Sequence, residues 1–139
     1  MIPPLDFLIL VQLVSCATMT GIIWIVQVAI YPLFAKLQGE VFHDYHDRYM
    51  TRVSFVIGPL MLIEALACAA CLWWGKPQDF LVPTILLAII WLSTFFIQVP
   101  QHKSLTPESV PALVKSNWLR TLAWTARAFI LAHMLLTTT

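Results

Sequence analysis

The chain predicts an all-α membrane protein: a four-transmembrane-helix antiparallel bundle with both termini outside. Three observations carry that expectation. Of 139 residues, 60% are hydrophobic and 11% charged, too little charge to cover the surface of a soluble domain. Four apolar runs, Leu5–Tyr31, Val53–Trp74, Phe80–Val99 and Trp118–Leu136, are each long enough to cross a hydrocarbon layer roughly 30 Å thick at about 1.5 Å per residue. The basic residues are lopsided: Lys36, Arg48 and Arg52 lie between runs one and two, and Lys103, Lys115 and Arg120 lie around the third connection. Only Lys76 lies between runs two and three. Positive residues stay on the cytoplasmic side, which sets connections one and three inside. A bacterial inner membrane is the expected host, and residues 1–139 make one integral membrane domain.

Taken in order, the first run contains "LVSC" at 13–16, which imitates a lipoprotein cleavage box. The preceding "MIPPLD" has an aspartate and no basic residue, and the apolar run continues past Cys16, so it reads as a retained helix stopping near Pro32. "AKLQGEVFHDYHDRYMTRVSF" follows as an inner connection, helical and continuous with helix two, whose Pro59 predicts a kink. "WWGKPQD" is a tight outer turn with Trp73 and Trp74 at headgroup level. Helix three returns and ends at Pro100. In the inner connection after it, Thr106, Pro107 and Glu108 read as the cap and first turn of a short interfacial helix. Helix four then runs outward to the terminal threonines.

The polar residues inside these runs are the candidates for function. On a wheel of about 100° per residue, Asn117, Arg120, Trp124, Arg127 and Leu131 fall in a stripe under about 90° wide. That face must point into the bundle, because an arginine facing lipid is costly. Helix one carries Thr20, Trp24, Gln27 and Tyr31 on one face; helix three carries Trp91, Thr94 and Gln98, with Gln101 and His102 just beyond. All lie in the inner half. Counting from the inner side, Glu64 is about 16 Å deep and Arg127 about 14 Å deep. Matched depth makes them an expected ion pair, either packing the helices or anchoring a pocket wall.

His43, His46 and His102 map to the inner side, with His43 and Asp47 four residues apart in "HDYHD". Such spacing can bring nitrogen ligands together, so these three are the expected ligands of a divalent transition metal. "CAAC" at 68–71 raises a rival reading, because a C-x-x-C pair at the outer end of a span resembles membrane thiol oxidoreductases of the vitamin K epoxide reductase type. That chemistry needs a second cysteine pair to pass electrons on. Only Cys16 remains, so Cys68 and Cys71 read as small packing residues.

The order of "GIIWIVQVAIYPLF", "FHDYHDRYMTRVSFVIGPLMLIEA", "QVPQHKSL" and "NWLRTLAWTAR" resembles a group of small bacterial four-helix integral membrane proteins of unassigned function, over nearly the whole chain. More distantly, size and layout are similar to the anthrone oxygenase-like membrane proteins, which implies oxidation of fused aromatic rings. A fainter likeness to the four-helix protoporphyrinogen oxidase type implies haem. Its ligating histidine lies in helix one, where this chain has none, so haem is the less favoured cofactor.

The leading expectation is therefore a membrane-embedded oxidoreductase or oxygenase-like protein for a lipophilic aromatic or quinone-like molecule. Trp24, Gln27, Tyr31, Trp91, Gln98, Asn117 and Trp124 would line a cytoplasm-facing pocket, with indole faces holding a flat ring and amides binding its oxygens. Arg120 or Arg127 would stabilise a developing phenolate or enolate, and His102 or Glu64 would move the proton. The alternatives are a binding or transport protein for a lipophilic ligand or metal ion, and a structural subunit of a membrane complex. Four helices are few for a transporter, which makes a second copy of the chain a candidate partner. A net charge of +1 with no basic block argues against nucleic acid.

Overall fold

Residues 4–138 are described by a computed structural model. The leading Met-Ile-Pro and the final threonine, to which the expected outward termini belong, lie outside the described residues. The described chain forms four helices and no strand: α1 (Leu5–Phe34), α2 (Gly39–Trp74), α3 (Pro77–Lys103) and α4 (Val110–Thr138). The first three are long and apolar enough to cross a membrane. At 29 residues α4 has the length, but it carries Arg120 and Arg127 and falls short of that measure of apolarity.

α1 ends near Pro32, at Phe34, as expected; the expected end of α3 at Pro100 is corrected, because α3 continues to Lys103. Both helices pass their proline for the same reason. A proline removes one backbone donor and clashes with the carbonyl four residues back. Each of these prolines is preceded by a wide π turn, Val26–Ile30 in α1 and Thr94–Gln98 in α3. There the Tyr31 N–H donates to the Val26 carbonyl and the Val99 N–H to the Thr94 carbonyl, five residues back. The wide turn lets the ring in without ending the helix, and such turns recur at functional sites.

From Gly39 the connection after α1 is helical and continuous with helix two, as expected, and α2 runs 36 residues through Pro59. It starts at Gly39, whose φ of +58° suits a residue without a Cβ. At its other end Gly75 is required by space, since a Cβ there would lie 2.6 Å from the Cys71 carbonyl oxygen and 2.7 Å from the Phe80 ring. The short interfacial helix expected at Thr106 is a single 3₁₀ turn, Pro107–Ser109, leading straight into α4. Ser109 closes it by accepting from the Thr106 N–H at 2.9 Å.

α1 packs against α2 and α4, and α3 packs against α4, whereas α2 and α3 meet mainly at the turn joining them. Met19, Ile23, Phe34, Phe42, Met61, Ile90, Trp124 and Leu131 belong to the main buried cluster. A smaller one gathers Leu8, Ile9, Cys71 and Phe80 around that turn. The outside is apolar too: Phe55, Phe96, Phe129 and Trp73 are each more than 70% exposed, and Phe7 on α1 is 53% exposed. Bare aromatic rings on every helix are what lipid, and not water, would cover.

Candidate functional site

The polar stripe of α4 faces inward throughout. Asn117, Trp124, Arg127 and Leu131 are fully buried and Arg120 is 7% exposed. These residues feed two separate networks, one deep and closed, the other beside a cavity.

The deep network centres on Arg127. Its Nη1 pairs with Glu64 Oε1, its Nη2 donates to Gln12 Oε1, and its Nε donates to the Pro83 carbonyl at 3.1 Å. The other Glu64 oxygen accepts from Trp124 Nε1 at 3.0 Å. Gln12 completes the set by donating to Cys71 Sγ at 3.1 Å. Four helices are thus tied at one level, and both charges are fully buried. The expected pairing of Glu64 with Arg127 is present. Its expected place in a pocket wall is corrected, because neither residue lines the cavity. Each guanidinium nitrogen has one acceptor, and the pair ties the four helices together away from the cavity.

One helical level away, Arg120 gives Nε and Nη2 to Asn117 Oδ1 at 3.0 and 2.6 Å, and Nη1 to Thr94 Oγ1 at 3.2 Å. Asn117 in turn donates to Gln27 Oε1 at 2.7 Å, and Gln27 Nε2 donates to the Val114 carbonyl at 2.9 Å. None of the Arg120 contacts is to a carboxylate, and among the described residues no ion pair involves it. Trp124 links the levels: its indole N–H holds Glu64 while its ring lies 5.8 Å from the Arg120 guanidinium carbon. That contact offsets part of the cost of a buried cation.

Arg120 forms one end of a cavity of about 180 Å³. Tyr31 from α1, Tyr49 and Ile57 from α2, and Thr94, Gln98 and His102 from α3 line it with Arg120 from α4. Val53, Ser54 and Gly58 on the α2 side are half-buried or exposed, so the cavity opens sideways where α2 and α3 stand apart. From it a line of hydrogen-bonding groups leads outward. The Tyr31 hydroxyl lies 3.0 Å from His102 Nε2, and His102 Nδ1 lies 3.0 Å from His46 Nε2. His46 Nδ1 then lies 3.6 Å from Asp47 Oδ1, on a carboxylate that is 83% exposed.

The metal expectation is corrected on geometry. His46 and His102 come together, but His43 is exposed and packs edge-on against Phe42. Among the described residues no three His, Cys, Asp or Glu side chains are grouped to hold a metal ion, and structural or catalytic sites need three or four ligands. The indole walls are corrected as well. Trp24 donates to Thr125 Oγ1 at 3.0 Å and meets Trp118 edge-on, 37% exposed. Trp91 lines a different groove with Ala65, Cys68 and Ala88. Gln27 and Asn117 stand behind Arg120 as its support and do not line the cavity. Tyr31, Gln98, His102 and Arg120 do line it.

Two residues escaped the sequence reading. Tyr49 sits one turn beyond His46, a spacing that could have revealed it. Gln12, a single amide in an apolar run, had no stripe to join. Cys68 and Cys71 remain free thiols, bonded to Thr84 and Gln12. The chain matches no protein-family model, no curated protein and no solved structure.

Proposed function

We propose that this chain is an integral membrane protein of the bacterial inner membrane that draws a lipophilic aromatic or quinone-like molecule from the bilayer into the cavity and moves a proton at its ring oxygen, as an oxidoreductase. The observation that carries this reading is Arg120: a buried cation at a cavity, bonded only to neutral groups. A cation held there without a carboxylate is set to receive an oxygen that becomes negative. The tyrosines supply an aromatic wall. Its volume suits one six-membered ring with small substituents, since a cavity of roughly 150 Å³ accommodates benzene. A fused polycyclic substrate would have to protrude through the open side.

Tyr31, His102 and His46 supply the proton step. With Tyr31 donating to His102 Nε2, His102 Nδ1–H donates to His46 Nε2, and His46 Nδ1–H faces Asp47. Reversing every donor gives the mirror arrangement, so a proton can be handed along the line in either direction. The ring loses two electrons and two protons, a hydroquinone leaving as the quinone and p-cresol as its quinone methide, and dioxygen, as the acceptor outside the chain, takes them to give hydrogen peroxide. Full-length protein in lipid nanodiscs should bind p-cresol saturably and consume it under air. The variant His102→Phe should bind but consume at least about 100-fold more slowly, the usual worth of a general base. Binding without consumption in the parent protein would favour the non-catalytic binding or transport reading; no saturable binding would remove the pocket.

The same proposal sets four spans in antiparallel order, N-out and C-out, with the histidines at the cytoplasmic mouth. The charge on α4 faces inward, which removes the objection that its arginines raise to spanning. On a background lacking the native cysteines, a membrane-impermeant thiol reagent applied outside should label Lys76→Cys and spare Lys103→Cys. The reverse pattern would invert the topology.

A further inference from the structure

Resting on that reading, the charge inside the cavity fixes the form in which the ligand is held. Arg120 brings one positive charge to the cavity, and no Asp or Glu lines it. Glu64, the buried carboxylate of the bundle, is committed to Arg127 and Trp124. The partners of Arg120 cannot supply the missing charge. Asn117 is fixed by donating to Gln27, and Thr94 by donating to the Ile90 carbonyl at 2.7 Å. The guanidinium makes three hydrogen bonds, and of its five N–H donors two therefore remain. The other titratable groups at the cavity are Tyr31 from α1, Tyr49 from α2 and His102 from α3, none of which is negative near neutral pH.

A neutral ring in the cavity leaves this cation uncompensated where charge is poorly screened, whereas an anionic one makes a neutral pair with it. Burial by itself works against an ionised phenol. Here the guanidinium is buried beforehand, so the anion cancels an unpaired charge as it adds its own. We infer that the cavity takes its aromatic ligand as an oxyanion: a phenol or hydroquinone enters neutral from the bilayer, loses its hydroxyl proton there, and is held as the phenolate. The O–H bond breaks, its electron pair stays on the oxygen beside Arg120, and the proton leaves through Tyr31, His102 and His46. No electron moves in this step. Tyr31 and the histidines set how fast the proton departs; Arg120 sets whether it stays away. Ionisation thus precedes oxidation, and a phenolate gives up electrons more readily than a phenol.

The test uses 4-nitrophenol, colourless as the phenol and yellow as the phenolate, on the full-length protein in nanodiscs, with empty nanodiscs as background. Bound dye should turn yellow with a midpoint at least about one pH unit below that of free dye, a tenfold change in its ionisation. Between the two midpoints its affinity should rise about tenfold per pH unit, and above the free midpoint it should level off. In Arg120→Met, bound dye should ionise no earlier than free dye. Saturable binding to the parent protein with an unshifted or raised midpoint overturns the inference while leaving the aromatic pocket standing. A lowered midpoint that survives in Arg120→Met also overturns it, by placing the positive charge elsewhere. If the dye does not bind saturably, the pocket reading falls and this one with it. The titration of the parent protein decides even should Arg120→Met fail to fold.

Discussion

Replacing Arg127 with methionine is expected to destabilise the protein by about 3–5 kcal/mol. The change removes the cation facing Glu64, whose carboxylate is fully buried and would keep only the Trp124 N–H. It also releases the Pro83 carbonyl and Gln12 Oε1. The loss is therefore that of a stranded charge and an unpaired Gln12 amide oxygen, and not the net worth of an ion pair, since the Pro83 carbonyl lies within the helix Leu81–Ser93. Adding Glu64→Gln should recover part of it, because the amide needs no counter-ion and can still accept from Trp124. Denaturation in detergent micelles, followed by helical circular dichroism, measures both. Arg127→Met as stable as the parent would mean that this network contributes nothing to the fold.

Arg120→Lys should behave in the opposite way. Stability should change by no more than about 1 kcal/mol, since no carboxylate depends on Arg120 and a lysine can still reach one of its acceptors. Affinity for p-cresol should fall at least tenfold, because an ammonium cannot hold Asn117 and Thr94 in place and also present N–H groups to the cavity. Two arginines seven residues apart on one helix face would thus separate cleanly, one read by melting and the other by titration. Unchanged affinity in Arg120→Lys would take the oxygen-binding role away from this residue.

The Glu64–Arg127 pair was legible in the sequence because depth can be counted along regular helices and both residues lie on unbroken α segments. The Trp24 and Trp91 assignments failed for the converse reason. Each precedes a π turn, Val26–Ile30 or Thr94–Gln98, and a uniform wheel groups it with Gln27 and Tyr31, or with Gln98 and His102, across that turn. The wide turn breaks the register, so Tyr31 and His102 beyond it line the cavity while Trp24, partly exposed, and Trp91, on a separate groove, do not. Tyr49 was overlooked because its surroundings read as a water-facing connection, although the charges there, Asp44, Arg48 and Arg52, lie on the other side of the same helix and are exposed.

The two π turns also bear on how such a cavity arises. A helix gains one residue where the turn widens, and at about 100° per residue that insertion swings everything after it by more than a quarter of a revolution. In α1 the segment so redirected begins with Tyr31, and in α3 it carries His102, with Gln98 the last residue of the turn itself. The cavity is then a product of chain length counted between two points, not of side-chain identity alone. A sequence with every lining residue kept, but one residue fewer in each turn, would retain the composition of this protein and lose its site.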